Sequence, residues 1–360
     1  MTPLIYFHTF LLSGLLFLPC FLARPTPKPA TPITVKDHNH AWIDFKSLRD
    51  ARRGSHINGT AKLKRYLHHF GYLRRPDGNF SDDFDASLEH ALARYQARLG
   101  LPVSGQLDDG TLSEIMSPRC GVPDTVVPTK LHVTRKSNKH KVPVTVEHYA
   151  YFTGQPRWNN TVLTYAFSPE NMPGSLSLPE VMEAFNRSFA RWSAVIPVTF
   201  TKTDDYESAD IKIGFYAGDH GDGEPFDGVL GVLAHAFSPE NGRFHLDAAE
   251  TWALDLATER SKVAIDLESV ATHEIGHLLG LAHTTVKEAI MYPVLKPRQQ
   301  KLDLKVDDIQ AIQNLYGSNP NFKLGASAEY ETSANQAVDL RATSSTLLIM
   351  VLLSVFLACT

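Results

Sequence analysis

The chain has 360 residues and a formal net charge of −4. That length allows two modest domains with tails, and the slightly negative net charge gives no pointer to nucleic acid, so no nucleic-acid partner is expected.

Residues 4–22 form a hydrophobic run followed by Arg24 and a proline-rich stretch. This reads as a secretory signal over 1–23. Residues 347–359 are also apolar, but shorter than the ~20 residues a membrane span needs. Ser333, Ala334 and Asn335, then a polar spacer and that tail, read as a GPI-attachment signal, with 336–360 removed. A single-span anchor starting near Ala342 is the alternative. Of the three cysteines, Cys20 lies in the expected signal and Cys359 in the expected tail. Cys120 then has no internal disulfide partner. Asn58, Asn79, Asn159 and Asn186 each begin an N-x-S/T sequon, which suggests glycosylated surface positions in an exported chain.

Residues 42–124 carry helical periodicity. Leu63, Tyr66, Leu67 and Phe70 lie on one face over 61–70. Phe84, Leu88, Ala91, Leu92 and Tyr95 do so over 83–99. Gly71, Gly100-Leu101-Pro102 and Gly110 read as punctuation, and the pattern predicts a small three-helix bundle. The string ALARYQARLGLPVSGQLD, residues 91–108, resembles peptidoglycan-binding-like modules. That resemblance implies either a carbohydrate binder or, beside a protease, a pro-domain. The module ends in PRCGVPD, residues 118–124. The Cys120 thiolate is a strong zinc ligand, its alternative being an inert buried thiol. Arg119 suits a charge-assisted pair with a carboxylate, Asp124 being one candidate. Residues 125–148 form a basic linker with no clean dibasic processing motif. They read as a solvated charge run or an activation region.

Further on, 163–167, 198–201 and 211–215 read as strands. Residues 178–193 read as an amphipathic helix with Val181, Phe185, Phe189 and Trp192 inward. His220, Asp222, His235 and His245 make four zinc-type ligands with no open position, which suggests a structural zinc. Asp227, Asp247 and Glu250 are oxygen ligands suited to Ca²⁺. Residues 231–237 read as an edge strand to which an extended peptide could add. Residues 306–316 read as a last helix, with Asp307 and Asp308 at its positive end and Gly317 as a stop. A stalk is expected over 319–335.

The densest signal is THEIGHLLGLAH, residues 272–283. His273 and His277, four apart on a helix, can aim two imidazoles at one point. Gly280 can end the helix with φ > 0 and bring in His283 as a third ligand. Three ligands leave a fourth position open, the pattern of a catalytic zinc. Glu274 can reach a zinc-bound water without being a ligand itself. Met291, within AIMYP at 289–293, is the turn methionine that such motifs carry further on. The alternative is an amphipathic core helix that happens to bear histidines.

PRCGVPD is similar to the cysteine-switch motif of the matrixins, the matrix metalloproteinases, and HEIGHLLGLAHT to their zinc motif. Thr284 after the third histidine favours matrixins over other metzincin branches. The resemblance spans about 42–317. With these ends and no hemopexin-like domain, the chain looks like a plant-type, GPI-anchored member. It implies an α/β metzincin-type catalytic domain over 149–318, with a twisted, mostly parallel sheet plus helices. A small all-α three-helix pro-domain over 42–124 and an activation linker over 125–148 precede it. It implies Cys120 on the catalytic zinc in the latent form. It also implies calcium held by Asp227, Asp247, Glu250 and the carbonyls of Gly228, Leu230 and Val232. The short segment between His235 and His245 leaves open a second calcium using Asp210. The pocket for the residue after the cut bond is expected between the zinc helix and 293–295, with Ser269 leaving it open. The implied function is a zinc endopeptidase acting on extracellular proteins, opened by an activating protease. The rival reading is a wall-polysaccharide-binding surface protein with a vestigial zinc domain.

Overall fold

The computed structural model describes residues 41–74, 78–124 and 149–323. The expected signal, the 125–148 linker, most of the stalk, Ser333, Ala334, Asn335 and the removed tail lie outside the described residues. No helix among the described residues is long and apolar enough to cross a membrane.

The N-terminal portion holds a 3-10 helix, Ile43–Leu48, and helices α1 (Thr60–His69), α2 (Ala86–Arg98) and α3 (Asp109–Ile115). Asp85 and Asp108 cap α2 and α3, accepting from Leu88 N at 2.9 Å and Thr111 N at 2.8 Å. Gly110, read as punctuation, lies inside α3 because the Asp108 cap starts the helix one residue before it. The inward faces meet in a core that includes Leu63, Leu67, Leu88, Leu92 and Tyr95. The buried Gln96 amide satisfies the 104–111 loop: its oxygen accepts from Ser104 N and Gly105 N, and its nitrogen donates to Gln106 O and Thr111 Oγ1. The same core continues onto Phe226, Val232, Tyr292 and Val294, far along the chain.

The strands are β1 (Arg119–Cys120), β2 (Ala150–Tyr151), β3 (Val162–Phe167), β4 (Thr199–Lys202), β5 (Ile211–Tyr216), β6 (Val232–Ala236), β7 (Arg243–Asp247), β8 (Trp252–Ala253), β9 (Ile265–Asp266) and β10 (Leu281–Ala282). A six-stranded sheet runs β1-β6-β7-β5-β3-β4, parallel throughout except for the β6–β7 pair. Helices α4 (Leu178–Val195), α5 (Leu267–Leu278) and α6 (Val306–Tyr316) complete the fold. In α4 the buried Val181, Phe185, Phe189 and Trp192 pack toward the sheet and α5. Each such side chain, fully buried, contributes about 1.5–3 kcal/mol.

Residues 231–237 do not form an edge. β1 pairs with β6 and takes the outer position, because PRCGVPD is extended and offers the main-chain groups an edge strand seeks. Arg119 N donates to Gly231 O at 3.1 Å and Gly121 N to Ala234 O at 2.8 Å. On the other side, Cys120 N donates to Pro293 O at 2.9 Å and Leu295 N to Pro118 O at 3.1 Å.

Every residue of α5 is buried. Gly276 lets it approach the turn beneath: a Cβ there would sit 2.2 Å from Met291 Sδ and 3.1 Å from Trp192 Cζ2. Gly276→Ala is therefore expected to lower stability by about 1–3 kcal/mol through overpacking. Thermal unfolding checks this, and an unchanged midpoint would show that the turn yields freely.

Candidate active site and metal centres

Helix α5 starts at the Asp266 cap, which accepts from Ser269 N at 2.8 Å, and ends where Gly280 takes φ +104°. Gly280 also passes close to Pro156 O, 2.2 Å from where a Cβ would lie. The chain doubles back there and brings His283 to the two histidines of α5. Each ring is held by a bond from Nδ1: His273 to Ile290 O, His277 to Leu281 O and His283 to Asp124 Oδ1, all 2.7 Å. A carbonyl can only accept, so in the first two rings Nδ1 carries the proton and Nε2 presents a lone pair. Asp124, ionised beside Arg119, sets the same tautomer in His283.

Three bare Nε2 atoms then face one another. His273 to His283 is 3.3 Å and His277 to His283 is 3.1 Å. Zn–N bonds of about 2.0–2.1 Å give a tetrahedral edge of about 3.3 Å, so the set fits zinc. Cys120 Sγ is 3.4 Å from His277 Nε2, and the four ligand atoms lie within 4.8 Å of one another. Burial and neighbouring imidazoles hold His273 and His277 well below the usual range. Burial, with the Glu274 charge adding to it, pushes the Cys120 thiol well up. A buried thiolate there needs a cation.

Glu274 is fully buried, and neither carboxylate oxygen has a hydrogen-bond partner. Burial pushes it up to about 8, against the pull of the nearby Cys120 thiol and Ala236 amide. A cavity beside it, between α5 and 290–301, is lined by Ser269, Val270, Leu295 and Lys301 among others.

Asp124 holds the Cys120 segment to the site. It accepts from Arg119 Nη2 at 2.5 Å, His283 Nδ1 at 2.7 Å and Tyr72 OH at 2.7 Å, and is wholly buried with Arg119. The Arg119 guanidinium stacks 3.6 Å from the Phe70 ring centroid. Arg98 Nη2 donates to His283 O at 2.5 Å. Neither Tyr72 nor Arg98 carried a sequence signal, since they act across 52 and 185 residues. Asp308 had one in part, as a helix-start acid. Its carboxylate accepts from Lys305 N, Ile290 N and Met291 N, so it also fixes the methionine turn under the histidines.

The second cluster joins the loop after β5, which carries His220 and Asp222, to His235 of β6 and His245 of β7. His220 Nε2, His235 Nε2 and His245 Nδ1 stand 2.9, 2.8 and 2.8 Å from Asp222 Oδ2. Their nitrogens are 3.1 Å (His220–His245) and 3.3 Å (His235–His245) apart, again a tetrahedral edge. Burial pushes His235 and His245 down to about 4. Phe226 stacks on both His220 and His235. At the third place, Asp227, Asp247 and Glu250 close on the 228–232 turn and accept from Val232 N, Gly228 N and Leu230 N. Burial pushes Asp247 up to about 6 and Glu250 well up, and Glu250 Oε2 is buried without a partner. Buried carboxylates that repel one another suit a hard cation such as Ca²⁺. Asp210 Oδ2 instead accepts from Thr164 N and Oγ1, both at 2.7 Å.

A matrixin family model matches residues 157–317, and a peptidoglycan binding domain model matches 58–115. The chain is 50% identical to Metalloendoproteinase 1-MMP of Arabidopsis thaliana over 341 residues, 92% of this chain and 91% of that protein. It belongs to the matrixins. Metalloendoproteinase 4-MMP of Arabidopsis thaliana is 52% identical, over 83% of this chain and 84% of that protein. Stromelysin-1 of Mus musculus is 35% identical, over 75% of this chain and 52% of that protein. This matrixin is a zinc-dependent metalloendopeptidase whose cofactors are catalytic and structural zinc and calcium. The sequon asparagines Asn58, Asn79, Asn159 and Asn186 are all exposed. Asn159 and Asn186 engage Glu240 and Tyr165.

Proposed function

We propose that this matrixin is made latent, exported, and held by a GPI anchor on Ser333, Ala334 or Asn335 at the outer face of the plasma membrane. There it cuts extracellular proteins once an activating protease has cleaved within 125–148. The observation that carries latency is Cys120 Sγ lying 3.4 Å from His277 Nε2, in the place a fourth zinc ligand would take. In this reading His273, His277 and His283 hold the catalytic zinc, with Cys120 as fourth ligand before activation. His220, Asp222, His235 and His245 hold the structural zinc. Asp227, Asp247 and Glu250, with the carbonyls of Gly228, Leu230 and Val232, hold calcium. Cys120 leaves with the helical module because Phe70, Tyr72 and His69 all grip residues 119–124.

Catalytic zinc, when bound, lowers the pKa of a water to about 7 and polarises a peptide carbonyl. Glu274 takes the proton of the attacking water and later delivers it to the leaving amine. Its burial supports that role, since a carboxylate raised to about 8 holds a proton near neutral pH strongly enough to take it from the water. With β1 gone, β6 presents free main-chain groups to an extended substrate. The cavity between α5 and 290–301 receives the side chain that follows the cut bond.

Glu274→Gln is expected to keep both zinc ions by metal analysis and to lower kcat about 10²–10⁴-fold on a cleaved peptide. Full activity in that protein would remove Glu274 from the mechanism. Cys120→Ser is expected to let the unprocessed chain cleave peptides. An equally silent Cys120→Ser precursor, still carrying zinc, would contradict latency through the thiolate.

A further inference from the structure

The cavity beside Glu274 has a lysine in its lining. Its walls include the apolar side chains of Val270, Leu295 and Tyr292, and Lys301 lines it with them. Lys301 Nζ donates to Lys287 O at 2.8 Å and Ala289 O at 2.7 Å, and stands 5.3 Å from the Tyr292 ring centroid. An ammonium has three donors, so two carbonyls leave one over. Lys301 forms no ion pair among the described residues. Asp308 and Glu288 favour its charge only at a distance. Asp308 already gives its oxygens to three backbone N–H groups, and Glu288 is exposed. Asp266, at the start of α5, is likewise engaged by Ser269 and Gln300. Burial pushes Lys301 down to about 8. A desolvated ammonium with a donor to offer attracts an anionic acceptor far more than it would in water.

We infer that Lys301 selects substrates with glutamate after the cleaved bond, the aliphatic stem lying against Val270, Leu295 and Tyr292 and the carboxylate meeting the ammonium. This rests on the reading above that the cavity takes that side chain. Glutamate matches the cavity in both respects, an apolar stem for the walls and a charge for the end. Leucine fills the walls alone. Glutamine reaches Lys301 as a neutral acceptor and forms the weaker bond.

The test uses the full chain after cleavage within 125–148 and peptides identical except at that position, carrying glutamate, glutamine or leucine. Glutamine is the neutral isostere, so the glutamate-to-glutamine ratio of kcat/KM isolates the charge. That ratio is expected to be about tenfold. It should fall to near one in Lys301→Met and persist in Lys301→Arg. A purely structural Lys301, tying down the 287 and 289 carbonyls, would leave the ratio unmoved. Because the ratio is read within one sample, loss of folded protein cancels from it, and the unaltered chain alone already decides the sign. Equal cleavage of the glutamate and glutamine peptides, or a ratio unchanged in Lys301→Met, overturns the inference while leaving the endopeptidase reading intact. Cleavage of none of the three overturns both.

Discussion

Three imidazole nitrogens that face one another without a proton between them repel, and the protein holds them there by other means. The Nδ1 bonds to Ile290 O, Leu281 O and Asp124 fix each ring with its lone pair inward. Much of the surrounding architecture supports those acceptors. Asp308 places the Ile290 carbonyl by capping the 290–291 turn, and Gly276 lets that turn lie tight under α5. Gly280 returns the chain so that the Leu281 carbonyl and the His283 ring arrive together. A cation at the centre converts the repulsion into coordination, which couples metal binding to the folded state.

The third acceptor is of a different kind, because Asp124 belongs to the segment that carries Cys120. The same carboxylate pairs with Arg119, and both are wholly buried. A buried pair of this sort gains little over apolar packing, but removing one partner costs about 3–5 kcal/mol. The lock therefore behaves as a unit. Cys120 is placed by β1 pairing, β1 by the Arg119–Asp124 pair, and that pair by Phe70 and Tyr72 of the helical module. The shared core with Phe226, Val232, Tyr292 and Val294 adds the apolar contact area.

What was legible in the chain was local. The i, i+4 spacing of His273 and His277 and the glycine after them dictate convergence without knowledge of the fold. The heptad-like burial of Phe185, Phe189 and Trp192 reads from periodicity in the same way. What was not legible depends on distant partners. A two-residue strand such as β1 has no period to detect, so β6 looked like an edge. Gly110 is a poor helix former, yet the Asp108 cap outweighs it. Tyr72 and Arg98 gain their roles only from the docking of the helical module on the sheet. Lys301 carries no local signal, because only the fold sets it in the wall of the cavity.

The central claim is that one thiolate from 118–124 closes the three-histidine site. Zinc X-ray absorption on the full chain tests it directly, since sulfur and nitrogen scatter differently and zinc–sulfur bonds are longer, at about 2.3 Å. The account predicts a sulfur contribution in the unprocessed chain that disappears after cleavage within 125–148 and release of the helical module. A zinc-loaded, unprocessed chain whose spectrum needs only nitrogen and oxygen would contradict it.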